Sequence, residues 1–126
     1  MPLKKQSITV LGSTGSVGVN TLDVIAGHPD RFEVFALSAS TQTELMLAQC
    51  LRFKPAYAVM ASAPHARILA QNLKQNGLST EVLLAPDALE MIASDERVDT
   101  VMAAIVGAAG LAACMAAARA GKRLLL

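Results

Sequence analysis

The run Ser7-Ile8-Thr9-Val10-Leu11-Gly12-Ser13-Thr14-Gly15-Ser16-Val17-Gly18 constrains the fold more than any other stretch of this 126-residue chain. A short apolar strand enters three glycines spaced by three, and a helical pattern follows. A strand that turns at once into a helix on its own sheet needs, at its tightest point, backbone angles that glycine tolerates. The helix leaves its first N–H groups without partners, at the positive end of its dipole. Such a turn is an anion site suited to the diphosphate of a dinucleotide. In that geometry Gly12 makes the turn, Gly15 lets the diphosphate approach the backbone, and Gly18 lets the helix lie close to its strand. Ser13, Thr14 and Ser16 add hydroxyl donors and N-cap oxygens. An ordinary α/β connection also carries glycine and serine, but three glycines in register after a strand favour the nucleotide reading.

Apolar runs alternate with helical patterns along the whole chain. Strands are predicted at Ile8–Leu11, Glu33–Ala39, Ala56–Met60, Glu81–Leu84, Thr100–Val106 and Arg123–Leu126. Helices are predicted at Ser16–Ala26, Thr43–Phe53, Pro64–Asn76, Pro86–Ser94 and Leu111–Ala120. Gly27-His28-Pro29, Lys54-Pro55 and Asn76-Gly77 end the first three helices, and Pro64 and Pro86 take first-turn positions. This alternation implies βαβ units and an α/β fold with a doubly wound parallel sheet, a Rossmann-like dinucleotide-binding domain. Continuous apolar strands fit a sheet covered on both faces. The ligand then sits at the carboxyl edge where strand order reverses, with Thr100–Val106 on the far side of the first strand from Glu33–Ala39.

Composition excludes several classes. The net charge is +1, no basic stripe is present, and the aromatics are Phe32, Phe35, Phe53 and Tyr57. Nucleic acid lacks both the cations and the stacking platform it needs. Val101 to Ala118 carries no charge over eighteen residues, the lower limit for a membrane span. Gly107 and Gly110 break that run, which divides into strand, loop and Ala-rich helix, so no membrane association is expected. No apolar signal region precedes the first strand, and a cytoplasmic protein is expected. Cys50 and Cys114 are far apart and read as buried free thiols in a reducing compartment. His28 and His65 read as solvated surface residues. Asp95-Glu96 with Asp99 reads as a solvated turn rather than a metal site.

No acid ends the second strand, where an NAD site would place one against the ribose. Its absence permits the 2′-phosphate of NADP, to which Ser40, Thr41 and Gln42 could donate just before the helix at Thr43. No Arg or Lys lies in that segment, and the loop reads equally well as an ordinary polar helix cap.

With these features goes a resemblance. Gly12-Ser13-Thr14-Gly15-Ser16-Val17-Gly18, Thr21-Leu22-Asp23-Val24, Tyr57-Ala58-Val59-Met60, Val101 to Leu111 and Ala118-Arg119-Ala120-Gly121-Lys122 together resemble the start of the 1-deoxy-D-xylulose 5-phosphate reductoisomerase family. The Ala-Ala-Ile-Val-Gly-Ala-Ala-Gly-Leu run is the specific part. The glycine motif alone also occurs in aspartate-semialdehyde dehydrogenases. The resemblance implies a homodimeric, NADPH-dependent enzyme of the non-mevalonate isoprenoid pathway, with Mg or Mn as its divalent metal. That enzyme rearranges 1-deoxy-D-xylulose 5-phosphate and reduces the product to 2-C-methyl-D-erythritol 4-phosphate. By position Thr14, Gly15, Ser16 and Val17 would contact the diphosphate side of NADPH. Ser40, Thr41 and Gln42 match the 2′-phosphate loop, and Ala104, Ile105, Val106 and Gly107 would lie along the cofactor. The family often has Gly-Lys-Asn or Gly-Arg-Asn where this chain has Ser40-Thr41-Gln42.

Residues 1–126 are thus expected to form one NADPH-binding domain. The closing run Gly121-Lys122-Arg123-Leu124-Leu125-Leu126 suggests the front part of a longer protein, with a terminal strand tucked into the sheet as the alternative. Such a part is expected to hold neither catalytic residues nor metal, to bind cofactor weakly, and to associate through exposed apolar surface. The alternatives are a stand-alone dinucleotide-binding module and an aspartate-semialdehyde-dehydrogenase-type reductase.

Overall fold

The computed structural model describes residues 4–126. Six strands and five helices alternate strictly: β1 (Gln6–Leu11), α1 (Ser16–Ala26), β2 (Phe32–Ala39), α2 (Thr43–Phe53), β3 (Tyr57–Met60), α3 (Ala63–Gln75), β4 (Glu81–Leu84), α4 (Asp87–Ser94), β5 (Thr100–Ala103), α5 (Ala108–Arg119) and β6 (Arg123–Leu125). All strand pairs are parallel, in the order β4-β3-β2-β1-β5-β6. The chain works outward from β1 to one edge, then crosses back to β5 on the other side. Strand order therefore reverses at β1, with β5 where the alternation pattern put it.

Both faces of the sheet are covered. One core joins Ile8 and Val10 to Leu22 and Ile25 of α1, Met46 and Cys50 of α2, and Leu69 and Leu73 of α3. The other joins Leu11, Phe35 and Val101 to Leu89, Ile92 and Ala93 of α4 and to Ala113 and Ala117 of α5. Because successive side chains of a strand point to opposite faces, Val10 and Leu11 feed different cores. This explains why β1 and β2 are buried on both faces rather than on alternate residues.

Helices α1 and α2 fall on the predicted residues. Helix α3 and strands β1, β2, β3 and β6 differ by one or two positions, and α4 starts at Asp87 with Pro86 as its cap rather than within its first turn. The larger correction concerns β5. It ends at Ala103, opposite Leu11, instead of Val106. Residues 104 to 107 leave the sheet as a loop, and α5 begins at Ala108 instead of Leu111. Alanines are strong helix formers, and Gly107 caps the helix at φ 98°, so the first turn forms as soon as the chain clears the sheet. The uninterrupted apolar run carried no mark of that exit.

Candidate functional site

Where β1 ends, Gly12 turns the chain at φ 79°. A side chain there would also strike the Ala104 carbonyl oxygen, 2.6 Å from its Cβ, because the loop after β5 passes directly over the turn. A Cβ on Gly18 would stand 2.2 Å from the Gly12 carbonyl oxygen, so α1 rests against the turn it leaves. Gly15 differs from both. It caps α1 in extended conformation, and a Cβ on it would meet nothing nearer than the Gly12 carbonyl oxygen at 3.7 Å. The protein itself does not require glycine at position 15; what a side chain would fill is the space in front of the helix.

That space is a crevice of about 460 Å³ at the carboxyl edge of the sheet. Gly12, Thr14 and Gly15 form its wall on the β1 side, Ser38 to Ser40 its wall on the β2 side, and Ala104, Ile105 and Val106 the wall after β5. Ala61, Ala85, Leu89 and Ala109 complete it. Helices α1 and α5 both start here, without a side-chain cap and without an acid in the first turn. Their first N–H groups are therefore free for an anion, each helix start favouring a negative charge by roughly 0.3–1 kcal/mol. Among the described residues no charged side chain lines the crevice.

Of the residues singled out in the sequence, Gly12, Thr14, Gly15, Ser40, Ala104, Ile105 and Val106 line this crevice. Ser16 and Val17 stand exposed in the first turn of α1. Thr41 and Gln42 stand exposed beside Ser40, Gly107 caps α5, and Gly18 is buried beneath the turn. Ser13 needs a correction. Its hydroxyl is not offered to a ligand: the residue is fully buried and donates to Gln49 Oε1 at 2.7 Å. Nor do Ser13 and Ser16 cap α1, whose N-cap is Gly15.

Sequence reasoning missed three groups. Ser38 locks the turn, its hydroxyl accepting from the Gly12 N–H at 2.9 Å and its carbonyl from the Ser13 N–H at 2.8 Å. Ala39, Ala61 and Ala85 each stand at the carboxyl end of a successive strand, where a small side chain leaves a slot. That regularity was readable once β2, β3 and β4 were placed. Gln49, in mid-helix, had no local signal.

The other candidates resolve into structure. Asp95 holds the Arg97 guanidinium through both carboxylate oxygens at 2.9 Å, and Arg97 lies over the Phe35 ring, 4.8 Å from its centroid. Those hydrogen bonds keep the Asp95 carboxyl below its ordinary range. Asp99 accepts from the Ser7 N–H at 2.8 Å. Among the described residues no three His, Cys, Asp or Glu stand together as a metal site. Cys50 is buried, and burial pushes its thiol up to about 12. Cys114, expected buried, is only half-buried on α5. His65, expected in solvent, is half-buried, its Nδ1 in contact with the Ser62 hydroxyl that caps α3.

A parallel sheet whose order reverses beside its first strand, with a glycine turn and a free helix start over the reversal, defines the Rossmann-like class of α/β domain. Within that class, the family model for 1-deoxy-D-xylulose 5-phosphate reductoisomerase matches residues 8–126, and the chain belongs to that family. The reductoisomerase of Aromatoleum aromaticum is 57% identical over 125 residues, covering 99% of this chain and 31% of its own length. A solved DOX-P reductoisomerase in complex with magnesium aligns with a TM-score of 0.93 and 44% identity, over 98% of this chain and 30% of its own. Another, in complex with NADPH, fosmidomycin and magnesium, aligns at 0.91 and 45%, over 96% of this chain and 29% of its own. The chain thus spans about a third of the length of the relatives it matches. Family membership sets aside the aspartate-semialdehyde-dehydrogenase alternative.

Proposed function

We propose that residues 1–126 are the NADPH-binding domain of a reductoisomerase that converts 1-deoxy-D-xylulose 5-phosphate to 2-C-methyl-D-erythritol 4-phosphate. The observation that carries this reading is the crevice at the strand reversal, kept open by a glycine at position 15 that the backbone does not need. The NADPH found in a solved relative of 45% identity supports the choice of dinucleotide.

In this reading NADPH supplies the hydride that reduces the rearranged substrate. The chain's own residues bind and orient. The first N–H groups of α1, at Ser16 and Val17, hold the diphosphate with Thr14 and Gly15, against which it lies without obstruction. Ser40, Thr41 and Gln42 hydrogen-bond the 2′-phosphate. Glu44 stands in the first turn of α2, so that loop offers dipoles and hydroxyls rather than net positive charge. Ala104 to Gly107 would lie along the cofactor, with Ala104, Ile105 and Val106 lining the crevice as an apolar wall.

The metal has no place in this reading of the chain's residues. Solved relatives carry magnesium, but the described residues offer no ligand set for it. The reading extends to a homodimer, as the resemblance implies, placed in the cytoplasm. No helix among the described residues is long and apolar enough to cross a membrane.

The activity is tested by assaying the full product of the gene for NADPH oxidation on addition of 1-deoxy-D-xylulose 5-phosphate. Consumption that requires both the sugar phosphate and a divalent cation supports the reading. A protein that binds NADPH but leaves the sugar phosphate untouched would instead be a dinucleotide-binding module.

A further inference from the structure

The turn from Gly12 to Gly15 is weakly held from within. Its Gly15 N–H reaches the Gly12 carbonyl at 3.4 Å, beyond the ordinary range for such bonds. Stronger bonds reach it from outside. Two come from Ser38 on β2, as described. Two more come from the middle of α2: the Ser13 hydroxyl donates to Gln49 Oε1 at 2.7 Å, and Gln49 Nε2 donates to the Ser13 carbonyl at 2.8 Å.

Gln49 is an expensive choice for its position. It is 7% exposed, on the inward face of α2 beside the fully buried Met46 and Cys50. An amide there is tolerated only when its polar atoms are bonded, and an apolar side chain would serve packing without that demand. Both polar atoms of Gln49 bond to Ser13, and Gln49 does not line the crevice.

The consequence follows from peptide geometry. In a planar trans peptide the carbonyl and the next N–H point in opposite directions. Fixing the Ser13 carbonyl toward α2 therefore aims the Thr14 N–H away from it. Thr14 lines the crevice, and among the described residues its N–H makes no backbone hydrogen bond.

We propose that Gln49 is a positioning residue for the dinucleotide diphosphate: by clamping Ser13 it turns the Thr14 N–H outward as an anion donor. The inference rests on the NADPH reading above. Gln49 lies seven residues past Gln42, two turns along α2 from the 2′-phosphate loop. Its effect is therefore confined to the diphosphate.

The test compares NADPH with adenosine 2′-phosphate, which lacks the diphosphate, in calorimetric titrations of the 126-residue chain and Gln49→Leu. NADPH affinity should fall roughly tenfold, the scale of one lost hydrogen bond, while adenosine 2′-phosphate binds as before. A purely structural role would weaken both ligands together. If Gln49→Leu does not fold, Ser13→Ala removes one of the two clamping bonds and should give a smaller loss with the same ligand split. Amide exchange adds a reading that needs no ligand: the Gly12 and Ser13 N–H groups should exchange faster by more than the variant's loss of global stability accounts for. Unaltered NADPH affinity, equal losses for both ligands, or unaltered exchange would overturn the assignment of Gln49. A folded wild-type chain that binds neither nucleotide would overturn the NADPH reading on which it stands.

Discussion

A methyl group on Gly18 would meet the Gly12 carbonyl oxygen at 2.2 Å, whereas one on Gly15 stays 3.7 Å from the same atom. The two substitutions should therefore separate folding from binding. Gly18→Ala pushes α1 off its turn and should cost ~3 kcal/mol of stability, the upper range for overpacking, measured by urea unfolding. Gly15→Val should cost only about 1 kcal/mol of stability, the scale of a replaced N-cap, and abolish NADPH binding. The motif made both surroundings legible, because spacing alone fixes which glycine packs against the turn and which faces open space. The inward turn of Ser13 was not legible, since its partner lies thirty-six residues away on α2. Asp95 carries a prediction of another kind. Its folded carboxyl is held below its ordinary range by the Arg97 guanidinium, so the ionised form favours folding. That contribution is complete above about pH 4, the unfolded value, and is lost as the pH falls through the folded one. Asp95→Asn should flatten the acid limb of the stability profile relative to wild type; parallel profiles would contradict the pairing.

At the scale of elements, the boundaries that punctuation residues mark were readable. Gly27 and Lys54-Pro55 stop α1 and α2 at Ala26 and Phe53, as the breaks implied. The exit from β5 was not, because Val101 to Val106 stays apolar while the chain leaves the sheet after Ala103. What ends the strand is the loss of a partner: β1 itself turns away at Gly12, and Ala104 makes the last bond, to the Leu11 carbonyl at 2.9 Å. A strand end set by a neighbour's turn is invisible in its own residues. Helix α2 carries a measurable consequence of burial. Cys50 keeps its proton to about pH 12 when folded, while the unfolded thiol loses it near about 8.5. Stability should therefore fall as the pH rises above that value, a slope that Cys50→Ala removes. In the native chain, iodoacetamide at mildly alkaline pH should label Cys114 well before Cys50, as peptide mapping would reveal.

On the whole-molecule scale, the parallel sheet and the reversal of strand order beside β1 were legible from the alternation of patterns, because parallel strands need crossovers. Which helices share a face was not, since that depends on when the chain crosses β1. The surface holds Leu111 and Met115 one turn apart on α5, 63% and 50% exposed, near the edge strand β6 whose Leu125 is 43% exposed. Such a patch favours association. Sedimentation should show the 126-residue chain growing in mass with concentration, and Leu111→Lys with Met115→Lys should reduce that growth. The central claim is that the crevice over Gly15 holds a dinucleotide, and titrating NADPH into the chain and its Gly15→Val variant tests it most directly. Saturable binding to wild type, with none to a Gly15→Val chain of unchanged circular dichroism, is the outcome this structure predicts. Equal affinity in the two, or no binding by the folded wild type, would contradict it.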